Sequence, residues 1–306
     1  MDFLTGTGRT FFYMDELIVF HGDIVTCILH ERAPFALHLG LLGGGMVQGR
    51  RTGAFDMDGG LPQFSQEEIM SSLLAASEVG DEEPEIAANI TQQMLHMELE
   101  PLSRSMRARL RDIVVRLAPI HFIEVGAGIG QLSAWFHDAW EDGEHPNSYA
   151  MVDEGQRFGV ILQRVVERYS ATDWCHVRVG PWDTMVSESI AWLAANASMP
   201  EEARSGSILP VPADVVLVNT DWRSQVKDVE KAFQLLRPGG VLLTPEPLVP
   251  SSDVGDYPEG EPQNDAQIRV EVFNHWIRLV QQWSTEHAIG IVEVKGGSIV
   301  AIRRLK

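Results

Sequence analysis

Cysteine and lysine are both scarce in this 306-residue chain, which has two cysteines, Cys27 and Cys175, and four lysines, Lys227, Lys231, Lys295 and Lys306. Two cysteines are too few for a disulfide scaffold or a cysteine-rich metal site. Positive charge is short altogether: 24 Lys and Arg stand against 43 Asp and Glu, a formal net charge of −19. Phosphate backbones are bound through Lys and Arg with release of counterions, so this balance argues against nucleic acid as a partner. No run reaches the roughly 18 apolar residues of a membrane span. The longest apolar stretch, residues 33–47, is interrupted by His38 and by Gly40, Gly43, Gly44 and Gly45. Met1 to Arg9 has neither the basic nor the apolar region of a signal peptide. The expectation is a folded, acidic, cytoplasmic protein with no membrane partner.

What is there divides in two. Residues 1–102 read as a β-rich and then helical region that serves as a cap, an acceptor-binding surface or a dimer contact. Strand-like runs at Phe11–Tyr13, Leu17–Phe20, Ile24–His30 and Phe35–Leu42 are separated by turn residues. Ser65 is placed to cap a helix running to about Ser77, and Ile86, Ile90, Met94 and Met97 share one face of a second helix. No Lys or Arg falls between Arg51 and Arg104, and then Arg104, Arg107, Arg109, Arg111 and Arg116 crowd one predicted helix. Solvated helix faces with neighbouring salt bridges explain this better than an acidic lid over a basic substrate mouth.

Residues 103–306 alternate strand with helix. Strands are expected at His121–Val125, Ser148–Val152, His176–Val179, Val215–Val218 and Val241–Leu243, the last after a turn Arg237–Gly240. The intervening helices carry apolar stripes such as Phe158, Ile161, Leu162, Val165, Val166 and Tyr169. Repeated β–α units predict a doubly wound, mostly parallel sheet covered on both faces. Near the C-terminus this alternation stops. Ile289–Val294 and Ser298–Ile302 flank Lys295-Gly296-Gly297, which predicts an antiparallel hairpin.

The most informative segment is Glu124-Val125-Gly126-Ala127-Gly128-Ile129-Gly130. An apolar strand ends in an acid, breaks into three alternating glycines and opens an amphipathic helix. Glycine allows a sharp turn and a close approach of ligand to backbone, and the helix start presents unpaired N–H groups. The spacing differs from the G-x-G-x-x-G dinucleotide fingerprint. It resembles the first motif of the class I S-adenosylmethionine-dependent methyltransferases, and a parallel sheet finishing in a hairpin fits that family too.

That resemblance covers residues 119–306 and implies a seven-stranded Rossmann-like sheet with S-adenosyl-L-methionine as cofactor. It assigns the methionine part to the turn, with Glu124, Gly126, Ala127, Gly128 and Gly130, and the ribose hydroxyls to Asp153. It assigns the adenine amino group to Asp183 and places Asn219 beside the transferred methyl group, and the neighbouring Trp182 ring offers a stacking face for the adenine. Asp221 is the candidate general base. Metal-dependent relatives carry acids at the ends of the fourth and fifth strands, where this chain has Asn219 and Thr244-Pro245, so no metal is expected. The Asn-Pro-Pro-aromatic and Pro-Cys signatures of enzymes that methylate DNA bases are absent. The expected reaction is methyl transfer to a small molecule or a protein side chain. Two other readings stay open at this point: an aminopropyltransferase akin to polyamine synthases, weakened by the form of the glycine motif, and a non-catalytic cofactor-binding scaffold. A homo-oligomer is compatible with either. The long segment between Pro245 and Gln267 reads as a substrate lid, and His275 as structural rather than catalytic.

Overall fold

The computed structural model describes residues 26–27, 64–77, 79–141, 143–200, 206–250 and 263–306. Apart from Thr26–Cys27, the strand-like runs expected before residue 60 lie outside the described residues. So does the middle of the expected lid, residues 251–262.

In chain order the elements are β1 (Thr26–Cys27), α1 (Gln66–Leu74), α2 (Glu85–His96), α3 (Arg104–Leu117), β2 (His121–Val125), α4 (Gln131–Trp140), β3 (Ser148–Asp153), α5 (Gln156–Arg168), β4 (Cys175–Val179), α6 (Trp182–Asn196), β5 (Ala213–Val218), α7 (Gln225–Phe233), β6 (Leu236–Pro245), α8 (Asp265–Ser284), β7 (Ala288–Val294) and β8 (Gly297–Arg303). The sheet order is β1-β7-β8-β6-β5-β2-β3-β4. Strands β2 to β6 run parallel, while β8 is antiparallel to both β6 and β7 between which it lies. The seven-stranded sheet and the hairpin expected from the sequence are therefore present. Thr26–Cys27 adds an eighth, two-residue strand against β7.

Successive residues of a strand point to opposite faces, so each central strand feeds two cores. Phe122, Tyr149 and Leu217 pack with α1, α3, α4 and α5 through Leu74, Leu110, Phe136 and Leu162. Ile123, Ala150 and Val216 pack on the other face with α6, α7 and α8 through Met185, Val229 and Trp276. Every residue of β5 is buried, as the continuous apolar run of a doubly covered parallel strand requires.

Helix starts follow local chemistry. Ser65 accepts the Glu68 amide, and the Glu68 carboxylate reaches back to the Ser65 amide, a reciprocal cap for α1. Asn264 and Gln267 do the same for α8. The residues Arg237–Gly240, expected as a turn before the fifth strand, belong to β6, whose pairing with β5 is interrupted by a register shift between Ala213 and Val215. Gly239 takes φ +81° there, which accommodates the kink within the strand.

The arginines of α3 divide: Arg104 and Arg116 are exposed, Arg104 pairing with Asp81 at 3.6 Å as a solvated face with a neighbouring salt bridge would, while the others turn inward. Arg107 and Arg111 are buried, 4% and 8% exposed, and both guanidinium groups stand over the Trp135 ring. Arg107 pairs with Glu83 and donates to the Leu102 carbonyl at 3.0 Å. Arg109 donates to the Leu74 carbonyl at 2.8 Å, Arg116 to the Leu73 carbonyl, and Arg111 to the Gly80 carbonyl at 3.0 Å. These side chains fasten α1 and α2 to α3 by satisfying carbonyls at helix ends, where the last turn leaves acceptors free. Regular spacing could not distinguish that role from a solvated stripe, because both put arginine on one helix.

Candidate active site at the carboxyl ends of the strands

In open α/β sheets the usable crevice lies where the strand order reverses, at the carboxyl ends. Here that point falls at β2, which has β3 on one side and β5 on the other. The chain leaves β2 through Gly126-Ala127-Gly128-Ile129-Gly130. The amides of Gly126 and Ala127 both donate to the Val152 carbonyl, at 3.0 and 3.1 Å, and the Gly130 amide closes the turn on the Ala127 carbonyl at 2.9 Å.

The glycines do different work. A Cβ on Gly126 would stand 2.3 Å from the Asn219 carbonyl oxygen, so the ends of β2 and β5 can meet this closely only without a side chain. Gly128 has φ +58°, and a Cβ there would meet nothing within 4 Å. Its amide donates to Asp153 Oδ2 at 3.0 Å. Gly130 leads into α4 and packs against Leu162 and Val165. Gly128 is thus a left-handed residue bordering open space, with a carboxylate beside it: a cradle that a side chain would fill.

Asp153 ends β3. Its Oδ1 accepts the Gly155 amide at 2.7 Å and its Oδ2 the Gly128 amide. Each oxygen keeps lone-pair capacity, so two neighbouring hydroxyls could be accepted side by side. Partial burial raises its pKa, and the two amides pull it back. The next residue, Glu154, accepts the Trp182 amide at 3.2 Å and so caps α6 from outside the helix.

Glu124 sits under the turn rather than in the crevice. It is 1% exposed and accepts the Ser133 hydroxyl at 2.7 Å and the Tyr149 hydroxyl. Its Oε1 has no partner, and burial raises its pKa to about 7. His137 and Cys175 complete the buried polar group, with His137 Nε2 3.7 Å from Cys175 Sγ. Desolvation lowers the His137 pKa to about 4, while burial, then Glu124, pushes the Cys175 thiol well up. Glu124 thus ties the end of β2 to α4 and β3 beneath the glycine turn. Spacing had hidden its companions: Ser133 and His137 stand one helical turn apart on the apolar stripe of α4, and polar residues on such a stripe were the available signal.

Two expectations are corrected. Trp182 is only 2% exposed, packed in the core with Ile123, Val152 and Met185, and presents no free face for stacking. Asp183 is exposed and paired with Lys231 of α7. Residues at the start of a helix alternate between core and surface, and here the core took the tryptophan. Ala127 is 6% exposed, its methyl in the core, and offers only main chain.

At the end of β5 the Asn219 amide donates to the Val125 carbonyl at 2.9 Å. Asp221 is exposed, takes the Arg223 amide on Oδ1 at 3.0 Å, and its carbonyl accepts Ser224 and Gln225 amides at the start of α7. Its carboxylate organises that loop. Beyond it the guanidinium groups of Arg223 and Arg269 both stand over the Trp222 ring, 4.3 and 4.1 Å from its centroid. Arg223 is held in turn by both oxygens of Asp265 at 3.0 Å. The end of β6 is closed by Gln225, which donates to Thr244 Oγ1 at 2.9 Å and to the Pro245 carbonyl at 2.6 Å. Among the described residues no three His, Cys, Asp or Glu side chains form a metal-ligating group. His275 faces Glu230 at 3.3 Å on the α7–α8 side, a structural position.

No protein-family model and no curated protein sequence matches this chain. Solved structures do. The O-methyltransferase from Bacillus cereus, in complex with SAH, aligns over 77% of this chain and 96% of its own at 16% identity and a TM-score of 0.51. The O-methyltransferase TomG from Streptomyces achromogenes, involved in tomaymycin synthesis and in complex with SAM, aligns over 77% and 94% at 16% identity and a TM-score of 0.53. With its strand order, its antiparallel β8 and its glycine turn at the switch point, the chain has the fold of the class I S-adenosylmethionine-dependent methyltransferases.

Proposed function

We propose that the chain transfers the methyl group of S-adenosylmethionine to an oxygen of a small molecule. The observation that carries this reading is the open cradle at Gly128 facing the Asp153 carboxylate. The names of the structures it resembles support the oxygen acceptor. In this reading the main chain of residues 126–130 holds the methionine part, and Asp153 accepts the ribose hydroxyls. The Asn219 backbone borders the reacting carbon. Trp182 and Asp183 are left out, because one is enclosed and the other is paired elsewhere.

The cofactor supplies a methyl group already activated by the sulfonium. The chain's own residues have to align the acceptor and exclude water, which is where an intramolecular reaction gains most. The Trp222–Arg223–Arg269 stack, stiffened by Asp265, stands at the strand ends as a rigid wall for the acceptor. The buried Gln225 bonds stop the crevice from extending past β6. No catalytic base is assigned to Asp221, whose carboxylate serves the Arg223 loop.

Calorimetry with SAM and SAH on the full chain tests the reading. Both should bind one to one, and Asp153→Asn should weaken each by about 10- to 100-fold, the loss of a charged acceptor worth about 1.5–3 kcal/mol. 2′-Deoxyadenosine should bind more weakly than adenosine to the native chain, and equally to Asp153→Asn. Absence of heat with either compound overturns the reading.

A further inference from the structure

A second concave site lies at the opposite end of the same sheet. A cavity of about 330 Å³ opens between the first residues of β2, β3 and β4, the helix α6 and the segment 206–211, within the size range of small-molecule sites. His121 and Ser148 are register partners at the strand starts. His176 and Arg178 alternate along β4 onto the same face, next to Ala150 and Val152. Trp192 and Ser207 come from the helix and the segment opposite. Two imidazoles, a guanidinium and two hydroxyls converge, and among the described residues no acid lines the cavity. In a chain with net charge −19, such a pocket is a local exception to the surrounding field.

The guanidinium is built in rather than loose. Arg178 Nε donates to the Ile208 carbonyl at 2.8 Å and Nη1 to the Val177 carbonyl at 3.3 Å. These bonds fix its plane across the cavity, and Nη2 has no partner among the described residues. The Ser207 hydroxyl is enclosed without a hydrogen-bond partner, a state that costs free energy unless a ligand or water fills it. Burial and then the Arg178 charge lower the His176 pKa, and a bound anion would act against that shift. The remaining wall, Trp192 and the Ile208–Val211 run, is apolar.

The geometry points to a binding site for a small organic anion, a carboxylate or phosphate monoester on a ring-sized apolar body. Its charged group meets Arg178, His176 and Ser207, and its body meets Trp192. Strands β2 and β3, five and six residues long, separate it from the glycine turn by about 17–20 Å at roughly 3.3 Å per residue. Its occupant therefore cannot be the methyl acceptor. The site stands independently of the reading proposed for the other end of the sheet.

Titration of the full chain with phenyl phosphate, benzoate, inorganic phosphate and benzyl alcohol, followed by calorimetry and by the histidine Cε1–H NMR signals, tests this. Phenyl phosphate or benzoate should bind one to one and shift the His121 and His176 signals, and whichever is tighter identifies the anion. Benzyl alcohol should not bind, and inorganic phosphate should bind at least tenfold more weakly than phenyl phosphate. Arg178→Gln and, in case that loosens the 206–211 segment, His176→Gln should each weaken binding at least tenfold. A saturating anion should leave SAH affinity unchanged within twofold. No binding of either organic anion, equal binding by both variants, equal binding of inorganic phosphate, or competition with SAH overturns the proposal.

Discussion

Ser133 Oγ lies 2.7 Å from Glu124 Oε2, joining the first turn of α4 to the end of β2 beneath the glycine loop and out of solvent. With the Tyr149 hydroxyl it satisfies one oxygen of a carboxyl group whose other oxygen has no partner. The charged form is thus only half supported, and burial outweighs the two hydrogen bonds.

This relationship has a pH signature. The Glu124 pKa rises from 4.5 to about 7 on folding, so the native chain binds the extra proton between those values. Stability contributed by this group falls as pH rises from about 4.5 to about 7, at up to about 1.4 kcal/mol per pH unit. His137 acts in the other direction. Its pKa falls from 6.5 to about 4, so stability is lost as pH drops through that window. The two slopes oppose each other. Urea denaturation between pH 4.5 and 7 should show Glu124→Gln gaining stability relative to the native chain as pH rises. A pH-independent difference between the two refutes the assignment.

Gly126→Ala and Gly128→Ala should separate folding from binding. At Gly126 a methyl group collides with the Asn219 carbonyl oxygen at 2.3 Å, and melting should show a loss of several kcal/mol or failure to fold. At Gly128 nothing is struck, and a left-handed alanine costs roughly 1–2 kcal/mol. The Gly128 variant should keep its cooperative transition while SAH affinity drops at least tenfold in calorimetry. Wild-type affinity in that variant would sink the cradle.

Glu83→Ala should be far more damaging than a surface substitution. It strips the partner from Arg107, which is 4% exposed, and also breaks the Thr91 hydroxyl bond at 2.7 Å that leads on to Gln131. Removing one member of a buried pair costs about 3–5 kcal/mol. Glu83→Ala with Arg107→Met should recover much of that loss, read as a double-mutant cycle in urea.

Cys175 should resist alkylation in the native state. It is 2% exposed, and burial raises its thiol pKa, while the thiolate is the reactive form. In a Cys27→Ser background, iodoacetamide should label the chain at the rate of unfolding and reach completion only in denaturant. Rapid labelling in buffer would contradict the burial.

How much of this was legible in the sequence depended on periodicity. The β–α alternation, the hairpin at Lys295–Gly297 and the glycine turn are local patterns, and each names its element directly. Which strand ends gather at one edge of the sheet could also be expected, since the order of strands decides which ends meet. What stayed hidden was direction at helix starts and the far partners of polar groups. Trp182 and Asp183 are neighbours in the chain, and nothing local says which one enters the core. The carbonyls capped by Arg109 and Arg116 lie 35 and 43 residues away. Likewise His121, Ser148, His176 and Arg178 belong to three separate strands, and only the order of the sheet sets them side by side.

Among the described elements β8 is the last strand in chain order, so it can enter the sheet only after β6 and β7 have been synthesised. Strands β6 and β7 cannot bond to each other, since residues 297–303 fill the gap between them. A nascent chain that has emerged through residue 290 therefore carries two unsealed sheet edges, one of them buried in the finished protein. Both are templates for pairing with a neighbouring polypeptide. Stalling translation there should yield clumping chains, and releasing the remaining codons should close the wound.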